Sequence, residues 1–145
     1  KLGFLVIIIT NQAVISRGII TPKEMELLHI KLAKRLEKLG ARIDAAYFCP
    51  HHPDSKIPPY NKKCKCRKPE SGLILKSVKD FNIDLQKSFM IGDAIIDVLA
   101  GQRAGTKTML VKTGPGHARL DKLYSNIKPD FVVKNLKEAV RIVKK

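Results

Sequence analysis

Two short clusters, Cys49-Pro50-His51 and Cys64-Lys65-Cys66, offer three thiols and one imidazole. Thiolate sulfur and neutral imidazole nitrogen are the donors that tetrahedral Zn²⁺ takes. A Cys₃His set leaves no open coordination position, so such a site is structural. These are the only three cysteines of the chain, and a disulfide framework would leave one thiol over. Residues 52–63 carry three prolines and little that could pack. A metal clip over residues 49–66 would hold a long loop that has no core of its own.

Three further groups have the chemistry to handle a phosphoryl group. Thr10-Asn11-Gln12 follows the apolar run at residues 4–9, and its hydroxyl and amides could donate to phosphoryl oxygens. Capping a turn is the commoner role of such residues. Arg67-Lys68-Pro69 leaves the cysteine loop just before a helix start, giving a planar fork and a point charge for phosphate. Gly92-Asp93-x-x-x-Asp97 ends another apolar run, where a carboxylate could hold Mg²⁺ beside a phosphate. Taken singly, Asp93 reads as a helix cap with Asp97 in the first turns.

The elements that must position these groups follow from pattern. The unbroken apolar run 4–9 predicts a strand buried on both faces, as in parallel sheets. Thr21-Pro22-Lys23-Glu24 is a capping box with proline at the first helical position. Met25, Leu28, Leu32, Leu36 and Leu39 then mark one helix face, and Gly40 ends it. Strands are expected at 45–49, 88–92, 108–111 and 131–133. Helices are expected at 72–81, 95–104 with Gly105 as its stop, 117–124 after a Gly-Pro-Gly turn, and 136–143 capped by Asn135. Strand and helix alternate with short connections. The fold class is therefore α/β, a Rossmann-like, mostly parallel sheet with helices on both faces, in one domain spanning 1–145. Ligands of such sheets sit at the carboxyl ends of strands, where the three polar groups lie.

Composition sets bounds. The net charge of +15 attracts polyanions, sugar phosphates or nucleic acid among them. Lysines on solvated helix faces account for it more simply, and Lys31, Lys34 and Lys38 recur at helical spacing. Tryptophan is absent, and the basic residues are not interleaved with aromatics as a single-strand binder needs. No apolar run spans a bilayer. The opening run ends in Thr-Asn-Gln without a small-residue cleavage site, so it reads as a strand rather than a signal peptide. Reduced, metal-bound cysteines fit a cytoplasmic setting.

In this order, strand then Thr, Lys-Pro before a helix, and strand then Gly-Asp-x-x-x-Asp resemble the second, third and fourth motifs of the haloacid dehalogenase (HAD) phosphohydrolases. C-P-H, a gap and C-x-C-R-K-P resemble their zinc-bearing branch, which holds heptose-bisphosphate and histidinol-phosphate phosphatases. Twelve residues separate His51 from Cys64, a gap similar to that of the heptose enzymes. Residues 9–18, I-T-N-Q-A-V-I-S-R-G, resemble their T-N-Q-S-G-I-A-R-G. The resemblance implies structural zinc on Cys49, His51, Cys64 and Cys66, and catalytic Mg²⁺ on Asp93. It implies that Thr10 bonds the transferring phosphoryl group, that Asn11 and Gln12 line the site, and that Arg67 recognises substrate. Lys68 would neutralise phosphoryl charge, and Asp97 would support the site from the following helix. Thr10, Lys68 and Asp93 would then surround one anion-sized pocket. The implied partner is a small sugar bisphosphate, handled by a monomer. Ala13-Val14 replaces the Ser-Gly of the family stretch, and Ala94 stands where the heptose enzymes often have Lys.

The family attacks phosphorus with the first Asp of a D-x-D motif, forming an aspartyl phosphate. No two aspartates of this chain are two apart. The expectation is therefore an N-terminally truncated domain, lacking its first strand and helix, about 40 residues for one βα unit. Such a chain should be inactive and poorly stable alone. Three rivals stand beside this reading: a histidinol-phosphate or other small-molecule HAD phosphatase, a non-catalytic zinc module binding nucleic acid, and a remnant needing a partner to supply the nucleophile strand.

Overall fold

The computed structural model describes residues 3–114, 116 and 126–144, so the expected helix 117–124 lies outside the described residues. The chain divides into two compact units, Lys1–Arg67 and Lys68–Lys145.

In the first unit, β1 (Ile7–Asn11) pairs in parallel with β2 (Ala45–Cys49), in register from Ile7↔Ala45 to Asn11↔Cys49. The short α1 (Ala13–Ser16) and the long α2 (Pro22–Glu37) connect them. Both bonds of the expected capping box start α2: Glu24 N donates to Thr21 Oγ1 at 3.2 Å, and Thr21 N to Glu24 Oε2 at 2.7 Å. The helix ends at Glu37, and Gly40 follows two residues past its cap in the left-handed region. Two expectations need correction. The first strand starts at Ile7 rather than residue 4, because ladder pairing with β2 begins there. Phe4, Leu5 and Val6 are about half exposed. The apolar stripe of α2 is buried only at Met25; Leu28, Leu32 and Leu39 are exposed. A two-stranded sheet offers too little surface to cover a helix of this length.

In the second unit, α3 (Gly72–Phe81), a 3₁₀ turn (Leu85–Lys87), β3 (Phe89–Gly92), α4 (Ile95–Ala104), β4 (Lys107–Val111), β5 (Phe131–Val133) and α5 (Leu136–Val143) follow in order. The strands lie in the order β3-β4-β5, all parallel. Alternation along β4 shows why both faces are covered. Met109 and Val111 join Val133 and Ala139 of α5 in one cluster. Leu110, between them, packs with Ile95 and Val98 of α4 in another. Gly105 ends α4 with φ of +88°. The parallel α/β class holds, but the strands form a two-stranded and a three-stranded sheet rather than the one continuous sheet expected. Strand–helix alternation fixes that neighbouring strands run parallel; it does not fix which strands share hydrogen bonds. Among the described residues no helix is long and apolar enough to cross a membrane.

Candidate functional site: a thiol–imidazole cluster and two polar strand ends

Cys49 closes β2, so one metal ligand is fixed by the sheet itself and is fully buried. The other three donors reach it from the loop that follows. The Sγ atoms of Cys66 and Cys49 and those of Cys64 and Cys66 are 3.0 Å apart, and those of Cys49 and Cys64 3.4 Å apart. His51 Nδ1 lies 3.3 Å from the Cys66 sulfur and 3.7 Å from that of Cys49. All four ligand atoms fall within 4.8 Å of one another. Sulfurs bound at about 2.3 Å to one tetrahedral ion sit about 3.7 Å apart. The sulfur pairs are about 0.3–0.7 Å tighter than that, and far too open for a disulfide of about 2.05 Å. The donor set and spacing fit Zn²⁺.

The four groups also perturb one another. Burial, with hydrogen bonds from Cys49 and Cys64, pushes the Cys66 thiol far above its ordinary range, and burial raises that of Cys49. Burial also acts to raise Cys64, but hydrogen bonds from Cys66 and Cys49 outweigh it and bring the thiol below its usual value. Burial and the charge of Lys62 lower His51, which favours the neutral imidazole a metal needs. Three thiolates in one partly buried knot repel each other, and a dication offsets that repulsion.

Register puts the end of β1 beside this knot. Asn11 pairs with Cys49, and Gln12 N donates to Cys49 O at 2.8 Å. Gln12 Nε2 donates to Thr10 Oγ1 at 3.1 Å, so the Thr10 oxygen serves as acceptor and its proton is left to donate. Thr10 and Asn11 are the last two residues of β1 rather than residues beyond it. Arg67 leaves the loop with Nη1 donating to His51 O at 3.0 Å. One of five guanidinium donors thus ties its side chain to a metal ligand's backbone. The first unit therefore gathers Thr10, Asn11, Gln12, the knot and Arg67 at the carboxyl end of its sheet.

The second unit places Lys68, Asp93 and Asp97 around the carboxyl end of β3. Lys68 Nζ meets Asp97 Oδ1 at 2.6 Å, with side chains only 11% and 7% exposed. Asp97 Oδ2 also accepts from Ala94 N at 3.0 Å, closing the first turn of α4. Gly92 is required here, because a Cβ on it would fall onto the Asp97 side chain. Asp93 is held from the other side: Gly116 N donates to its Oδ2 at 3.1 Å. Side chains on Gly114 or Gly116 would collide with its carboxylate. From sequence, Gly114 and Gly116 read as a turn only. Their signal is a glycine pair shortly after a strand, where backbone comes close to a ligand or side chain. Arg103 was missed altogether; from α4 its Nη1 donates to Pro69 O at 3.1 Å and meets Glu70 Oε1 at 2.6 Å, holding the segment after Lys68.

Residues 65–139 match the HAD-hydrolase-like family. A relative from Chlorobaculum tepidum, named D-glycero-D-manno-heptose-1,7-bisphosphate 7-phosphatase, is 40% identical over 143 residues, 95% of this chain and 71% of that protein. The chain belongs to the HAD-like hydrolases, in the branch of these heptose-bisphosphate phosphatases. Another HAD-like relative, the D-glycero-alpha-D-manno-heptose-1,7-bisphosphate 7-phosphatase of Photorhabdus laumondii, is 43% identical over 114 residues, 78% of this chain and 62% of its own length. The chain thus spans 71% and 62% of these two relatives. Among HAD-like structures, the D,D-heptose 1,7-bisphosphate phosphatase of B. bronchiseptica, complexed with magnesium and phosphate, superimposes with a TM-score of 0.78 at 28% identity. That match covers 97% of this chain and 74% of the other.

Proposed function

We propose that this chain is part of a cytoplasmic, monomeric phosphatase that removes one phosphate from a small sugar bisphosphate, D-glycero-D-manno-heptose 1,7-bisphosphate. The observation that carries the reading is the pairing of a buried Lys68–Asp97 ion pair with an amide-held Asp93 at one strand end, in a chain of this family. Asp93 would hold Mg²⁺, which supplies charge neutralisation at the phosphoryl oxygens. Lys68, aimed by Asp97, adds a fixed positive charge to the same group. Thr10 donates its hydroxyl proton to a phosphoryl oxygen. Arg67, tethered through His51 O, presents its remaining donors to the substrate. Zinc on Cys49, His51, Cys64 and Cys66 is structural, and its thiolate set suits a reducing compartment. The attacking carboxylate is not supplied by a D-x-D pair within these 145 residues.

The test is phosphate release from the heptose bisphosphate, with histidinol phosphate as the competing substrate. Full-length protein should release the 7-phosphate in a Mg²⁺-dependent reaction and prefer the heptose compound. The 145-residue chain alone should stay at background. Preference for histidinol phosphate, or turnover by the chain alone, would overturn the assignment.

A further inference from the structure

The outer stretch of the zinc loop folds on itself by main-chain bonds. His52 N donates to Tyr60 O at 3.0 Å, Ser55 N to His52 O at 3.1 Å and Tyr60 N to Ile57 O at 2.9 Å. The Tyr60 ring lies against that of the ligand His51, centroids 6.2 Å apart. This folded stretch reaches the turn after α1 at two points. Ser55 Oγ donates to Ser16 O at 2.5 Å while accepting from Ile57 N at 3.1 Å. Ile57 Cδ1 lies 2.9 Å from where Gly18 would carry a Cβ, and Gly18 sits at φ of +71°. Ser16 is 2% exposed, so its carbonyl has little access to water and depends on the Ser55 hydroxyl. Local bonds close the clamped segment, among them Arg17 N to Ala13 O at 3.1 Å and Gly18 N to Ile15 O at 3.0 Å, and Ser55 adds a tie from outside it. The helix α1 has four residues and no side-chain cap, and it starts one residue after Gln12, which bonds both Thr10 and Cys49.

We propose that Ser55 is a positioning residue: through its bond to Ser16, and with Ile57 against Gly18, the zinc loop holds residues 13–18 and so the Thr10–Gln12 strand end. The metal then sets two groups rather than one, Arg67 through His51 O and Thr10 through Ser55. This rests on the phosphatase reading for its purpose, but not for its test. The physical chain runs from the ligand His51 through Tyr60 and the loop's internal bonds to Ser55 and Ile57. From there it passes across a non-local contact, 39 residues apart in sequence, to α1.

Amide hydrogen exchange on zinc-loaded full-length protein tests it without any turnover, so its failure is separate from failure of the phosphatase assay. Ser55→Ala should keep its zinc and its protection over 49–66 apart from the Ile57 amide, which loses its acceptor, yet exchange about fivefold faster at residues 13–18, the effect of one lost hydrogen bond. Ser55→Thr, which keeps the hydroxyl, should restore the original rate. Wild-type protein stripped of zinc should loosen at 13–18 as well as at 49–66. Unchanged exchange at 13–18 in zinc-loaded Ser55→Ala would overturn the proposal. So would loosening confined to the zinc loop in either protein.

Discussion

The Lys68 ammonium and the Asp97 carboxylate are both nearly out of water, which makes each dependent on the other. Removing one partner of a buried pair costs about 3–5 kcal/mol, because an unpaired charge remains. Asp97→Ala should therefore lower the urea midpoint of full-length protein. It should also lower turnover, since Lys68 loses the group that aims it. Lys68→Ala should lower kcat by about 10²-fold or more through loss of one preorganised charge. An unchanged kcat in Lys68→Ala would remove Lys68 from the chemistry and leave the pair a purely structural one. At this scale the sequence was informative where a residue's role is local. Cys49, His51, Cys64 and Cys66 could be paired by type and spacing, and they converge. The Gly116 amide on Asp93 and the Ser55 hydroxyl on Ser16 could not be read, because each is a contact made across the fold.

Among elements, the zinc loop carries the most consequence. Beyond Cys49, which closes β2, it has no regular secondary structure, and a metal supplies what a core otherwise would. Chelation should melt residues 49–66, release Arg67 from His51 O and raise KM, with a fall in Tm of several degrees. Zinc-free protein with unchanged KM and Tm would contradict a structural metal. The regular elements show what pattern fixes and what it does not. The helices Gly72–Phe81 and Ile95–Ala104 fall where pattern placed them; Gly105 reads as a stop from sequence, and Asn82, which carried no such signal there, ends the other helix in the same left-handed conformation. The start of β1 does not, because a strand begins where a partner's ladder begins and not where hydrophobicity does. The four residues of α1 are too few to show a helical period.

For the whole molecule, alternation of strand and helix made the parallel α/β class legible. The division into two units was not, since it depends on which strands pair. Exposed Phe4, Leu5, Val6, Leu28 and Leu32 are the physical cost of a first unit built on two strands. In the proposed function Thr10, Lys68 and Asp93 each contribute to phosphate binding. The most direct measurement is the affinity of full-length, zinc-loaded protein for inorganic phosphate with Mg²⁺, compared among wild type, Thr10→Val, Lys68→Met and Asp93→Asn. Each substitution should weaken phosphate binding about tenfold or more, as should withdrawal of Mg²⁺. Wild-type affinity in Thr10→Val, with the other two weakened, would contradict the role proposed for Thr10.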